Sequence, residues 1–376
     1  MKAVMRAIPV SRPELDGREE AAVSRVLRSG WITMGPETEL FEAEFAAFTG
    51  AKHACAVSSG TTALHLALEA TGVKTGDEVI TVSHSFIATA AAIRYVGATP
   101  VFVDIDAATY NMNPALVEPA LTRRTRAILC VHQMGMPCGL EALLGIARQH
   151  GLPLIEDAAC AAGSEILWQG QWERIGRPRG DIACFSFHPR KVLTCGDGGM
   201  ICTNDAAMER RCRALRHHGM NVGAHARHSS SSVIFESYDE PGYNYRLTDI
   251  QAAIGRVQLG KLSEMVERRR RLAGRYGRLL KNPAHEPPWA RSNWQSYCMR
   301  LDEELDQREE MQRLLEAGVA TRRGVMCAHR EGAFPAGSWR GGSLAESEKA
   351  QDRTIMLPLF ASMTEEEQDV VIEALG

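Results

Sequence analysis

Short runs of β-branched and apolar residues alternate with longer amphipathic stretches over the first two thirds of the chain. This alternation predicts a mostly parallel sheet with helices on both faces, because parallel strands need long crossover connections. We predict strands at Ala54–Val57, Glu78–Val82, Val101–Val103, Ala127–Val131, Leu152–Ile155, Ile182–Ser186 and Met200–Thr203. We predict the helices between them at Thr61–Ala70, Ile87–Val96, Leu140–His150 and Ala206–His217. The fold class is therefore α/β.

The pattern changes after Thr248, where apolar residues recur at helical spacing and predict a long helix that leads into a second domain. We expect a large domain over residues 1–255, with an N-terminal arm and a mixed, mostly parallel sheet, and a smaller α/β domain over residues 256–376. Thr364 is predicted to cap a final helix. The segment Ala333–Gly342 is rich in proline and glycine and is predicted to be a loop.

The charges of the chain are nearly balanced, with 43 Lys and Arg against 46 Asp and Glu and a net charge of −3. This balance gives no reason to expect a nucleic-acid partner, which is usually met by a clustered basic excess. The densest basic run, Arg268–Arg271, lies inside the long predicted helix and is interpreted as a solvated helix face.

Cysteine spacing and apolar segment length exclude further classes of protein. The ten cysteines are scattered singly without a C-x-x-C pair, so neither a zinc ribbon nor a dithiol site is indicated. No apolar stretch reaches about 18 residues, and the first residues are too short in apolar length for a secretory signal. We therefore expect a soluble cytoplasmic protein without a membrane partner.

The first candidate motif is a polar turn, Ser58–Thr62, which follows a predicted strand and opens a helix. Such a turn can hold a phosphate, because free N–H groups and the helix dipole point at the anion. Gly60 permits close approach, and Thr61 and Thr62 add hydroxyl donors. Taken by itself the motif is more typical of an ordinary capped helix than of a phosphate site. Nucleotide-binding loops of the G-x-x-x-x-G-K-[ST] or G-x-G-x-x-G kind are not found.

A second motif, Glu156-Asp157, ends a buried strand with a pair of carboxylates. Strand carboxyl ends face the ligand crevice of a parallel sheet, where a carboxylate can hold a cationic ring nitrogen or a metal. The alternative is that these carboxylates are a solvated strand end or a helix cap. Cys160 and Glu165 are poor candidates for completing a metal site, so we predict no metal.

The third motif runs from a predicted strand through Ser186 and His188 to Lys191, just before a glycine-rich turn. A lysine is usually a charged surface residue, since its pKa of about 10.4 leaves little free amine at neutral pH. An aldehyde cofactor removes this difficulty by forming an imine with the amine.

The three motifs together match one ligand, pyridoxal 5′-phosphate (PLP). Its phosphate would lie on Gly60–Thr62 and Ser186, its pyridine nitrogen on Asp157, and its aldehyde carbon on Lys191. Phe86, which follows a strand end, either covers the cofactor ring or is an ordinary core aromatic.

These motifs resemble the DegT/DnrJ/StrS-type sugar aminotransferases, which are PLP-dependent enzymes of fold type I. The resemblance extends almost from end to end and rests on several motifs in order. It includes Trp31–Pro36 with Phe41-Glu42, Ser59–Leu68, Glu156–Ala159, Phe185–Lys191, Gly242–Ala253 and Leu357–Leu359.

The resemblance implies that Lys191 is the Schiff-base lysine and Asp157 the partner of the pyridine nitrogen. It assigns the cofactor phosphate to Thr61, Thr62 and Ser186, and the covering of the ring to Phe86.

The resemblance also implies that Asn244 reaches the phosphate of the neighbouring subunit, so that an obligate homodimer shares its active sites. Cys160 stands where the family usually has His or Gln near the cofactor, and Asp197 stands where it usually has Glu. The first departure alters the local hydrogen bonds, and the second is expected to be mild. His188 and the pair His217-His218 are interpreted as structural or substrate-lining residues, because Lys191 already fills the acid–base role.

The resulting expectation is a transaminase that moves an amino group from glutamate or glutamine to a keto sugar linked to a nucleotide. An aminocyclitol aminotransferase remains an alternative. Related sugar dehydratases carry His where this chain has Lys191, which argues against that activity. A non-catalytic regulator would not need an imine-forming lysine, so the retained lysine argues against that class as well.

Overall fold

The computed structural model describes residues 7–223, 227 and 230–376. Its centre is an eight-stranded sheet with the strand order β1-β9-β8-β5-β4-β2-β3-β13. The strands of this sheet are β1 (His53–Val57), β2 (Glu78–Val82), β3 (Thr99–Val103), β4 (Thr125–Val131), β5 (Leu154–Asp157), β8 (Ile182–Ser186), β9 (Gly199–Thr203) and β13 (Arg340–Gly341). The seven strands predicted from the sequence are all confirmed, with ends shifted by at most two residues.

Strand β9 runs antiparallel to both of its neighbours, β1 and β8, whereas the remaining pairs of the sheet are parallel. Strands β1, β8, β5, β4 and β2 therefore point the same way and end at one edge of the sheet. The mixed, mostly parallel α/β sheet that the sequence predicts is confirmed. Residues that follow these strands are brought together at this edge, although they are far apart in the chain.

Helices surround the sheet, and their polar first turns explain where several of them begin. They are α1 (Gly17–Ser29), α2 (Pro36–Thr49), α3 (Gly60–Ala70), α4 (Ile87–Tyr95), α5 (Leu140–Gln149), α6 (Ala206–Leu215), α7 (Asp249–Leu279), α8 (Gln307–Glu316), α9 (Ala345–Arg353) and α10 (Glu365–Leu375). Thr248 and Thr364 cap α7 and α10, each with a reciprocal bond from the residue three positions later. The predicted cap at Thr364 is confirmed.

The C-terminal third has its own core and a three-stranded antiparallel sheet with the order β11-β14-β12. Its strands are β11 (Tyr297–Arg300), β12 (Arg322–Arg323) and β14 (Thr354–Leu357). Ile8 from the N-terminal arm pairs with Val319 of this region. Helix α7 crosses residue 255 without a break, so the boundary between residues 1–255 and 256–376 stays a prediction.

Three features differ from the sequence-based expectations. Arg340–Gly341, inside the predicted loop Ala333–Gly342, forms β13 and pairs with β3 of the large sheet. A small sheet of β10 (Ala290–Arg291), β6 (Glu165–Trp168) and β7 (Gln171–Arg174) was not predicted. Arg269 is buried, so the basic run is not a uniformly solvated face.

The buried position of Arg269 has a clear cause in hydrogen bonding. Its guanidinium donates to the carbonyl oxygens of Trp294 at 2.9 Å and Gln295 at 2.7 Å. These bonds satisfy backbone groups of a segment that adopts a left-handed conformation at Trp294. No helix in the described part of the chain is long and apolar enough to span a membrane.

Candidate active site

Asp157 is the last residue of β5 and lies buried at the carboxyl edge of the sheet. Its Oδ2 atom accepts a hydrogen bond from Thr89 Oγ1 at 2.7 Å, and its Oδ1 atom accepts from Ala159 N at 3.1 Å. Burial raises the pKa of Asp157, while these bonds and the charge of Lys191 oppose the rise. A buried anion of this kind is most stable beside a cation, which suits a protonated ring nitrogen.

Lys191 lies five residues after the end of β8, the strand that pairs with β5. Its backbone N–H donates to His188 O at 2.8 Å, which closes a turn beyond the strand. Its side-chain Nζ donates to Cys160 Sγ at 3.0 Å. The amine therefore faces the segment that follows Asp157, and Cys160 contacts the amine predicted to bond the cofactor.

The polar turn after β1 forms the start of α3. Ser59 Oγ accepts from Thr62 N at 3.1 Å, and Thr62 Oγ1 accepts from Ser59 N at 3.0 Å and donates to Ser59 O at 2.8 Å. The Thr62 hydroxyl is thus used in capping the helix. The backbone N–H groups of Gly60 and Thr61, by contrast, precede the first helical hydrogen bonds and remain suited to an anion.

Gly60 brings this helix start against the end of β8. A Cβ atom at Gly60 would lie 2.7 Å from Ser186 Cβ and 3.2 Å from Ser186 Oγ, too close for any side chain. The strand pairing produces this contact, since Gly199 of β9 pairs with both Val57 and Ser186. Ser186 Oγ therefore lies beside the N-terminus of α3, as the prediction of a shared phosphate site requires.

Phe86 precedes α4 and is 62% exposed, so the alternative that it is a core aromatic is wrong. It follows β2, whose end lies at the same edge of the sheet as Asp157. Asn244 is exposed and its backbone forms a bridge with His217. Its expected contact with a neighbouring subunit stays a prediction, as does the covering of the ring by Phe86.

The histidines near the site have local partners. His217 Nδ1 accepts a hydrogen bond from Arg246 at 2.8 Å, and burial together with the Arg246 charge lowers the pKa of His217 to about 4. His188 Nδ1 accepts from Arg190 N at 3.2 Å, and burial lowers the pKa of His188. Neutral, hydrogen-bonded imidazoles agree with the structural or substrate-lining interpretation. Residues 224–226 and 228–229, in the segment Gly219–Tyr238 that the sequence suggests could supply substrate contacts, lie outside the described residues.

Sequence reasoning missed two side chains that organise the site. Thr89 holds Asp157, and Asn293 Nδ2 donates to the carbonyl oxygens of Cys160 and Ala162 at 2.8 Å each. Thr89 lies three residues after Phe86, so both residues belong to the first turn of α4, which follows the end of β2. Asn293 has no such local signal, since it lies 133 residues from Cys160.

The three ends of PLP have matching groups here. The buried carboxylate of Asp157 fits the pyridine nitrogen. The amine of Lys191, which follows the adjacent strand β8, fits the aldehyde carbon, and the start of α3 at Gly60 fits the phosphate. Within the described residues no cluster of His, Cys, Asp and Glu is arranged to hold a metal ion. The fold and the site together define a PLP-dependent aminotransferase.

The comparison with known proteins agrees with this class. The sequence profile of the DegT/DnrJ/EryC1/StrS aminotransferase family matches residues 13–376. The chain belongs to this family.

Solved structures support the same assignment. The aminotransferase TlmJ from Streptoalloteichus hindustanus is 35% identical, with a TM-score of 0.88 over 98% of this chain and 97% of its own. DesV from S. venezuelae, solved with a ketimine intermediate, is also 35% identical, with a TM-score of 0.88 over 98% of both chains. The PLP form of Spr1654, a putative sugar aminotransferase from Streptococcus pneumoniae, is 28% identical, with a TM-score of 0.89 over 98% and 97%.

Proposed function

We propose that this enzyme transfers an amino group from glutamate or glutamine to a keto sugar that is linked to a nucleotide, in the biosynthesis of an amino sugar. The observation that carries the proposal is the convergence of Lys191, Asp157 and the start of α3 at one edge of the sheet. Similar proteins support the substrate class. PseC from Helicobacter pylori is involved in pseudoaminic acid biosynthesis, and DesI was solved with its TDP-sugar product.

Each residue has a distinct part in this proposal. Asp157 binds the pyridine nitrogen and keeps its proton in place, because an ionised carboxylate only accepts hydrogen bonds. When bound, PLP supplies an electron sink that stabilises negative charge at the carbon carrying the transferred amine. Lys191 Nζ would hold PLP through the aldehyde carbon. Once the amine of the substrate has displaced it, the freed Nζ would take up and return the proton at the substrate carbon as a general base and acid.

The remaining residues bind and orient the cofactor. The N–H groups of Gly60 and Thr61, with the hydroxyls of Thr61 and Ser186, bind the phosphate. Thr62 caps the same helix start and so holds these N–H groups in place. Phe86 packs on the ring, and Cys160 lies beside the amine that the ring bonds.

The proposal includes a homodimer in which Asn244 of one subunit completes the phosphate site of the other. The exposure of Asn244 at the described surface supports this arrangement, since the side chain is available to a partner. Cross-linking or light scattering of the purified enzyme measures the expected dimer.

Borohydride reduction of the cofactor-loaded enzyme tests the covalent role directly. The peptide that contains Lys191 is expected to gain the mass of the reduced cofactor, whereas a Lys191→Ala variant gains none. The visible absorbance of the loaded enzyme should fall when glutamate or glutamine is added, and the amine should then pass to a keto-sugar nucleotide. Normal turnover by Lys191→Ala, or labelling at a different lysine, would contradict the proposal.

A further inference from the structure

Two hydroxyl groups form a short hydrogen-bonded chain behind Asp157. Ser85 Oγ lies 2.7 Å from Thr89 Oγ1, which lies 2.7 Å from Asp157 Oδ2. All three residues are buried, with 4%, 1% and 5% of their surfaces exposed. The two hydroxyls are therefore shielded from bulk water, which cannot compete for their hydrogen bonds.

The direction of the hydrogen bonds follows from the charge of the carboxylate. An ionised Asp157 can only accept, so the Thr89 hydroxyl donates its single proton to Oδ2. The Thr89 oxygen then accepts the proton of Ser85. Ala159 N occupies Oδ1 at the same time, so each carboxylate oxygen has one donor. These two donors hold the plane of the carboxylate and leave one acceptor position on each oxygen.

The position of Thr89 in the fold explains why it serves this purpose. Its backbone N–H donates to Phe86 O at 3.1 Å, which makes both residues part of the first turn of α4. The side chain of Thr89 is buried against Asp157, whereas Phe86 is exposed. One helical turn thus carries the residue proposed to cover the ring and the residue that holds the carboxylate proposed to bind its nitrogen.

We propose that Thr89, supported by Ser85, is a positioning residue that orients the Asp157 carboxylate towards the pyridine nitrogen of PLP. This inference rests on the proposed cofactor role of Asp157. Because Thr89 acts only through Asp157, its effect on cofactor affinity depends on the presence of the ring nitrogen. A plain packing role would not show that dependence.

Cofactor affinity of the full-length enzyme stripped of PLP tests the proposal. Thr89→Val keeps the shape of the side chain and removes the donor, Thr89→Ser keeps the hydroxyl, and Thr71→Val is a matched control. The hydroxyl of Thr71 donates to Ala67 O and Leu68 O at the end of α3, away from Asp157. Each protein is titrated with PLP and with its 1-deaza analogue, which has carbon in place of the pyridine nitrogen.

We expect Thr89→Val to bind PLP about tenfold more weakly than the unaltered enzyme, since a hydrogen bond to a charged group is lost. Thr89→Ser and Thr71→Val should stay within about threefold of the unaltered enzyme. With the deaza analogue, the unaltered enzyme and Thr89→Val should bind equally. Ser85→Ala, which leaves the donor in place, should show a smaller loss and serves if Thr89→Val does not fold.

Two results would overturn the inference. One is equal PLP affinity of the unaltered enzyme and the variants Thr89→Val and Ser85→Ala. The other is an equal loss for PLP and the deaza analogue, which would indicate a packing role. If the unaltered enzyme failed to bind PLP at all, the proposed function itself would fail, and the two failures are therefore distinct.

Discussion

Lys191 Nζ donates a hydrogen bond to Cys160 Sγ at 3.0 Å, which joins the segment after β8 to the segment after β5. Cys160 is partly exposed, whereas the other nine cysteines are buried. Its thiol therefore occupies the face of the site where the cofactor is proposed to bind. The reactivity of the Cys160 thiol should therefore depend on whether the cofactor is bound.

Selective alkylation of Cys160 is the first prediction. In the cofactor-free enzyme, iodoacetamide should modify Cys160 first, because the buried thiols are shielded. Bound PLP should slow the reaction about tenfold or more by covering the thiol. Peptide mass spectrometry measures the site and rate, with Cys160→Ala as the control that takes up no label at this position. Equal rates with and without PLP would argue against a cofactor next to Cys160.

Replacement of Asp157 should weaken cofactor binding. Asp157→Asn should bind PLP about 10- to 100-fold more weakly, because the charged partner of the ring nitrogen is lost. Isothermal titration measures this loss. Asp197→Asn, which removes an exposed carboxylate near the site, should bind PLP normally.

The difference in stability between the cofactor-free unaltered protein and its Asp157→Asn variant should depend on pH. Burial raises the folded-state pKa of Asp157, so the folded protein binds this proton more tightly than the unfolded chain does. The unaltered protein therefore loses stability as pH rises from about 4 through the raised pKa. Asp157→Asn should be the more stable protein at pH 7, with the difference shrinking towards pH 4. Urea unfolding at several pH values measures this, and a constant difference would contradict it.

Gly60 should not tolerate a side chain. Gly60→Ala would place a Cβ atom 2.7 Å from Ser186 Cβ, and the forced shift should cost about 1–3 kcal/mol of unfolding free energy. The shift should also displace the anion-binding N–H groups and weaken PLP binding. Gly145→Ala on α5, where no atom lies within 4 Å, should instead gain about 0.5–1 kcal/mol. Denaturant titration of both variants compares these effects.

Glu42 should contribute strongly to stability, because it neutralises the buried Arg216. Its carboxylate also accepts from Ala56 N at 2.8 Å and pairs with Arg213 at 2.8 Å. Glu42→Ala should lower the free energy of unfolding by about 3–5 kcal/mol, since a buried charge loses its partner. Glu44→Ala breaks a more exposed pair with Arg256 and should cost about 1 kcal/mol or less. Similar losses in the two variants would contradict this difference.

Much of the fold could be predicted because its signals are local. The period of the apolar residues identifies β1 to β5, β8 and β9, and the polar residues Thr248 and Thr364 mark two helix starts. The hairpin of β6 and β7 was missed, since its strands are short and only partly buried. Strand β13 was wrongly predicted to be part of a loop, because its pairing with β3 joins residues that are more than 230 positions apart.

The site was predicted in its chemistry but not in its supporting contacts. Lys191, Asp157 and Gly60 each occupy a local context that suggests their roles. Thr89 was overlooked because its hydroxyl gains meaning only from the nearby Asp157. Arg269 was taken for a solvated residue because its acceptors, Trp294 O and Gln295 O, belong to a distant segment.

By itself, the sequence determined which residues form strands and helices and which side chains can bind an aldehyde, a ring nitrogen and a phosphate. These properties depend on residue type and on neighbours within a few positions. The tertiary structure alone decided that these side chains meet, because strand order and direction bring the ends of β1, β5 and β8 to one edge. It also decided that Cys160 contacts Lys191 and that Thr89 holds Asp157, since such contacts depend on packing between segments distant in the chain.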